Sequence, residues 1–233
     1  MKPFPTLRLC LWIVPLAVLG IASGAFGQTP DGDITEHYKR MMVYHQYMDG
    51  NVPEGAVVFV GDSITQGLCV SAVWDRAVNY GIGSDTTVGV LQRLPKYASM
   101  SRAAAVVIAI GVNDLKRRDN AEILGNYKKI MDAVPAGTPL VFSAVLPLDD
   151  RAKAEAENRN GRIRELNKGL AELCATDTRC YFVDITASLV DETGNLQPSF
   201  HVGDGVHLNT AGYAQWINDL REHLESRLQA QTR

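Results

Sequence analysis

Ala56-Val-Val-Phe-Val-Gly-Asp-Ser63-Ile-Thr-Gln-Gly67 decides how the rest of the chain is read. Val57 to Val60 form a short apolar run of the kind that becomes a buried strand, and it leads straight into Gly61-Asp62-Ser63. A small residue followed by a polar one permits a sharp turn at the strand's carboxyl end. Ser63 then stands where a helix begins, with its hydroxyl toward the crevice above a sheet. Open α/β sheets bind ligands in that crevice, and a helix N-terminus favours developing negative charge. Taken alone, such a serine is more often an ordinary helix cap. The rest of the chain shifts the balance.

Downstream, strand and helix patterns alternate. Ala77 to Tyr80 reads as a second strand, and Asn79-Tyr-Gly-Ile-Gly-Ser-Asp85 as a glycine-rich turn after it. Thr86 to Leu94 reads as a helix. Ala103 to Ile110 is an unbroken apolar run, expected of a central parallel strand covered on both faces, and it ends in Gly111-Val-Asn113-Asp114. A helix from about Ala121 to Ala133 leads to a strand from Leu140 to Val145, closed by Pro147. Ala152 to Cys174 reads as one long helix, weakest at Asn158 to Gly161. Tyr181 to Ile185 reads as the fifth strand, Ser199 to Val206 as a loop, and Thr210 to about Gln229 as the closing helix. Ahead of these, Ile34 to Met48 has a helical period, with Met41, Met42 and Met48 expected as core filler. The alternation predicts an α/β fold: three layers, α/β/α, around a five-stranded parallel sheet with right-handed crossovers, flavodoxin-like.

Length and composition set bounds. A chain of 233 residues suits one α/β domain, and 46% hydrophobic residues suffice for its core. The formal charge is -3; without residues 1 to 27, whose only charges are Lys2 and Arg8, it is -5, which argues against a nucleic-acid partner. That first stretch reads as a signal peptide. It has a charged start, an apolar run from Leu9 to Ala22 that is short for a membrane span, and small residues in Ala25-Phe26-Gly27 ahead of cleavage before Gln28. The mature domain is then 28–233, secreted or periplasmic and without stable membrane insertion, with Gln28 to Asp33 as a linker. Cys174 and Cys180 flank a short polar loop, and both a disulfide and a pair of buried thiols are open to them. No C-x-x-C or H-E-x-x-H spacing occurs, so neither a metal nor a cofactor is expected.

Four polar clusters fall at strand ends or in the last loop: Ser63, the Asn79 to Asp85 turn, Asn113, and Asp204-Gly-Val-His207. All four can converge on the crevice at the strands' carboxyl ends. Here the sequence resembles the GDSL, or SGNH, hydrolase family. Gly61-Asp62-Ser63-Ile64 resembles its first block, Asn79 to Thr86 its glycine block, Gly111-Val112-Asn113-Asp114 its asparagine block, and Asp204-x-x-His207 its last. Leu208-Asn-Thr-Ala-Gly-Tyr213 matches the usual continuation. The stretch through Asn79-Tyr-Gly-Ile-Gly and Leu91-Gln-Arg-Leu94 is most similar to platelet-activating-factor acetylhydrolase-like and carbohydrate esterase members.

The resemblance implies a serine esterase with Ser63 as nucleophile, His207 as base and Asp204 as its partner. It implies an oxyanion hole from the Ser63 N–H, a glycine-block N–H and the Asn113 amide. The family's usual glycine donor is replaced here by Ser84, which must adopt a φ that suits glycine. His201 has no such motif and is expected at the surface. The expected substrate is a small acyl ester, with O-acetyl groups on carbohydrate foremost. Lysophospholipase or thioesterase activity, O-acyl transfer to a sugar, and a non-catalytic binding module remain as alternatives, and the oligomeric state is open.

Overall fold

The computed structural model describes residues 32–152 and 158–228. The signal-peptide reading and the cleavage point before Gln28 lie outside the described residues. Five strands form one parallel sheet: β1 (Val57–Gly61), β2 (Ala77–Gly81), β3 (Ala105–Ala109), β4 (Leu140–Ser143) and β5 (Cys180–Val183), in the order β2-β1-β3-β4-β5. The α-helices among the described residues are α1 (Glu36–Asp49), α2 (Ser63–Gln66), α3 (Val70–Val73), α4 (Thr87–Arg93), α5 (Asn120–Ala133), α6 (Arg159–Cys174) and α7 (Thr210–Leu228).

The winding reverses at β1. The chain steps one way to β2, then returns past β1 to β3 and continues outward. With right-handed crossovers, α3 lies on one face and α4, α5 and α6 side by side on the other, and α7 returns to pack on α3. Every residue of β1 is buried, as the apolar run Val57 to Val60 demands of a strand covered on both faces. The reversal leaves a crevice between the carboxyl ends of β1 and β3, where Ser63 and Asn113 stand. Two glycines let α2 fold back over the strand ends. A Cβ on Gly61 would sit 2.2 Å from the Ala109 carbonyl oxygen, and one on Gly81 2.2 Å from the Gln66 nitrogen.

Several elements differ from their sequence reading for identifiable reasons. The fourth strand stops at Ser143 because side chains take over from the ladder. Asn167 holds both the N–H and the carbonyl of Val145, and Asn160 does the same for Leu148. The predicted weak point of the long helix is its start: Asn158 caps α6 by accepting the Gly161 N–H at 2.9 Å. Asp33 is no linker residue. It is fully buried, accepts the Thr86 hydroxyl at 2.6 Å and pairs with Arg118, which also bonds Asp114 at 3.0 Å. Met42 fills the core, whereas Met48 is 42% exposed. Cys174 and Cys180 form a disulfide with Cα atoms 5.2 Å apart, tying the end of α6 to β5.

Candidate active site

Asp62, not Ser63, caps α2. Its Oδ1 accepts the Ile64 N–H at 2.9 Å, which leaves the Ser63 hydroxyl free to bond Nε2 of His207 at 2.9 Å. Burial pushes the Asp62 carboxyl up to about 7. Nearby Asp85 and Asp114 add to this, and the Ile64 N–H and His207 oppose it.

His207 lies in the loop before α7. Asp204 Oδ1 accepts the backbone N–H groups of Val206 and His207, each at 2.9 Å, which curls the chain so that both side chains fall on one side. Asp204 Oδ2 then accepts from His207 Nδ1 at 2.6 Å. With a carboxylate on Nδ1, that nitrogen carries the proton and Nε2 is left to accept from Ser63. Burial acts to raise the Asp204 carboxyl, but the three hydrogen bonds from His207 and Val206 outweigh it and hold it at about 2. Tyr213 on α7 donates its hydroxyl to the Ile64 carbonyl at 2.9 Å, fastening the element behind His207 to the helix that carries Ser63.

The opposite wall comes from the turn after β2 and the end of β3. Gln66 Oε1 accepts the Gly83 N–H at 2.5 Å and contacts His37 Nε2 at 3.1 Å. The neighbouring Ser84 N–H has no partner among the described residues. Ser84 sits at φ 64°, the only non-glycine with positive φ among the described residues. The substitution of serine for glycine is therefore accommodated in the glycine conformation itself. Asn113 donates from Nδ2 to the Asp85 carbonyl at 3.0 Å, which fixes the amide and leaves its second hydrogen available. The Ser63 N–H, at the first position of α2, has no intrahelical partner.

Ser63, Ser84, Asn113, Asp204 and His207 line one cavity of about 250 Å³ whose apolar wall includes Val112 and Leu148. A larger cavity of about 740 Å³ lies at the amino ends of β1 and β2, beside Gly55, Arg76 and Arg221. Among the described residues no histidine lines it, whereas the hydrogen-bonded Ser63 and His207 both line the smaller cavity. Among the described residues no three His, Cys, Asp or Glu side chains cluster to hold a metal ion, and no helix is long and apolar enough to cross a membrane.

The profile of the GDSL-like lipase/acylhydrolase family matches residues 59–215. The chain belongs to this family. It is a carboxylic ester hydrolase by that membership. This acylhydrolase is 29% identical over 194 residues to the human platelet-activating factor acetylhydrolase IB subunit alpha1, covering 79% of this chain and 82% of the relative. The alpha2 subunit of Rattus norvegicus is also 29% identical, over 75% of this chain and 78% of its own. Among solved structures, a GDSL-like lipase from Bacteroides thetaiotaomicron superposes with a TM-score of 0.68 at 23% identity, covering 81% of this chain and 97% of that one. An acetylxylan esterase from Geobacillus stearothermophilus superposes with a TM-score of 0.59 at 17% identity, covering 73% and 95%. At these identities the two structures establish the shared fold.

Two sequence expectations change around the candidate site. Asn79 does not reach the cavity. It lies in β2, where its amide holds the Thr65 and Leu68 carbonyls at 2.7 and 2.9 Å and its Oδ1 accepts the Gly81 N–H at 2.8 Å. His201 is not a surface residue but 8% exposed, because the loop that carries Asp204 and His207 folds around its ring. One supporting residue escaped notice in its own right. Arg93, fully buried, reaches Asp85 at 2.8 Å, the Tyr80 carbonyl at 2.7 Å and the Gly61 carbonyl at 3.0 Å, clamping the ends of β1 and β2 to the turn that carries Ser84. Its only signal was its place in Leu91-Gln-Arg-Leu94.

Proposed function

We propose that this acylhydrolase is a secreted or periplasmic serine esterase that removes small acyl groups, above all O-acetyl groups on carbohydrate. The observation that carries the reading is the hydrogen-bonded chain Ser63 Oγ, His207, Asp204, at 2.9 and 2.6 Å, on the same cavity as Ser84 and Asn113. Ser63 Oγ attacks the ester carbonyl as its proton passes to His207 Nε2. Asp204 holds the imidazole tautomer and stabilises the imidazolium. Charge builds on the carbonyl oxygen against the Ser63 N–H, the Ser84 N–H and the Asn113 amide. The imidazolium then protonates the departing alcohol oxygen, leaving an acyl-serine. Water, deprotonated by His207, attacks that ester and releases the acid and free Ser63.

A cavity of about 250 Å³ is at the small end for ligand sites, which favours a short acyl group. The name of the human relative, an acetylhydrolase, and that of the Geobacillus neighbour, an acetylxylan esterase, support acetyl as that group. The Cys174–Cys180 disulfide supports an oxidising compartment, in keeping with the leader read at residues 1 to 27.

The purified protein should cleave nitrophenyl acetate and acetylated xylo-oligosaccharides, with kcat/KM falling as the acyl chain lengthens. A fluorophosphonate should label Ser63, and Ser63→Ala should lose labelling and at least about 10³-fold in kcat. Labelling elsewhere sinks the nucleophile assignment. A kcat/KM that climbs to long chains replaces the short-acyl reading with a lysophospholipase.

A further inference from the structure

The loop that presents Asp204 and His207 is built around a second Asp–His pair. His201 Nδ1 accepts two backbone N–H groups, Gly203 at 3.0 Å and Gly205 at 3.2 Å, one on each side of Asp204. An imidazole nitrogen can accept only if it carries no proton, which assigns the ring hydrogen of His201 to Nε2. Nε2 lies 3.3 Å from Asp149 Oδ2. The other oxygen of Asp149, Oδ1, accepts the Arg151 backbone N–H at 3.1 Å and Arg151 Nε at 2.8 Å. Those bonds from Arg151, foremost its side chain, hold the Asp149 carboxyl below the usual carboxylate range, so it is an acceptor only. The Asp149 N–H also donates to the Gly205 carbonyl at 2.9 Å, and a Cβ on Gly205 would sit 2.5 Å from the Asp149 backbone carbonyl oxygen. The two segments are thus interlocked at the backbone as well.

We propose that Asp149 and His201 are positioning residues for the catalytic loop: Asp149 fixes the Nε2–H tautomer of His201, and the bare Nδ1 gathers the Gly203 and Gly205 amides and aims Asp204 at His207. This rests on the esterase reading for its functional consequence, and on hydrogen bonding alone for the tautomer. The chemistry predicts a specific sensitivity. In Asp149→Asn the two Arg151 donors keep the amide oxygen on their side, which turns the amide N–H groups toward His201 Nε2. His201 must then accept at Nε2 and carry its proton on Nδ1, where it meets two N–H donors. One isosteric change would flip the tautomer and open the loop without removing an atom of bulk.

The test pairs kinetics with ¹⁵N NMR of the histidine rings. In the wild type, His201 should show the neutral Nε2–H tautomer, and in Asp149→Asn the Nδ1–H tautomer. Asp149→Asn and His201→Phe should lose roughly 10²-fold in kcat with little change in KM, the scale expected when a catalytic group shifts by about 1 Å. His201→Asn, whose Oδ1 reproduces the acceptor at the Nδ1 position, should recover most of that loss, whereas His201→Gln, with its oxygen near the Nε2 position, should not. A proton on Nδ1 in the wild type overturns the proposal whatever the variants do, including any that fail to fold. So does wild-type kcat in Asp149→Asn, or a His201→Asn enzyme as slow as His201→Phe. A wild-type protein with the expected tautomer but no esterase activity would overturn the functional reading and leave the hydrogen-bonding arrangement standing.

Discussion

Ser84 stands at φ 64°, a conformation that costs an L-residue about 1–2 kcal/mol relative to glycine. Its side chain is not what the proposed oxyanion hole uses; the free backbone N–H is. Ser84→Gly should therefore keep kcat within about tenfold, and relief of the left-handed strain should offset the added freedom of the unfolded chain, leaving stability equal or higher by about 1 kcal/mol. Asn113→Ala removes a side-chain donor outright and should lower kcat by roughly 10²–10³ with little effect on KM. Steady-state kinetics of the two variants side by side decide the matter: equal damage would mean that the Ser84 hydroxyl contacts substrate. At this scale the motifs made legible that Ser63, Asn113, Asp204 and His207 converge on one cavity. It was least legible where a residue's role depends on a distant partner. Asp149 and His201 are 52 positions apart and Asp33 and Thr86 are 53 apart, and no local pattern announces either contact.

Short elements depend on caps, and α2 depends on Asp62. That carboxyl is raised from 3.8 to about 7, chiefly by burial. A raised folded-state value means that the native protein holds the proton more tightly than the unfolded chain. The stability it contributes is full below 3.8 and is lost as pH climbs through about 7. Asp62→Asn retains a capping oxygen and cannot ionise. Its unfolding free energy should lose the wild type's decline over that window and exceed the wild type above about pH 7 by on the order of 4 kcal/mol. Urea unfolding at acid and alkaline pH measures this, and a variant less stable than the wild type in alkali refutes it. The strands were legible because apolar runs such as Val57 to Val60 leave few choices. Their ends were not: β4 stops where Asn160 and Asn167 substitute for a neighbouring strand, and those asparagines lie on α6, far along the chain. Arg93 was equally hidden, since an arginine in a helix pattern is ordinarily a solvated one.

Across the whole molecule, the alternation of elements was enough to give the parallel sheet, and its reversal at β1 explains why Ser63 and Asn113 share a crevice. The Cys174–Cys180 bridge is a local staple, six positions apart, so its contribution is bounded by the entropy of a short loop. Replacing both cysteines by serine should cost about 2 kcal/mol, read from the urea midpoint, and reducing agent should leave the variant unaffected. A different consequence follows from Ser63 and His207 lying 144 positions apart with the last strand ending at Val183, before the histidine is reached. Synthesis runs from the proposed nucleophile toward its proposed base. A nascent chain can complete every strand of its sheet and still carry, at position 63, only an unactivated alcohol. On the proposed triad the serine becomes a reagent only once the final helix has docked and Tyr213 has closed onto α2. With that triad, the order of residues along the chain would act as a safety catch, keeping the enzyme silent for as long as it is unfinished.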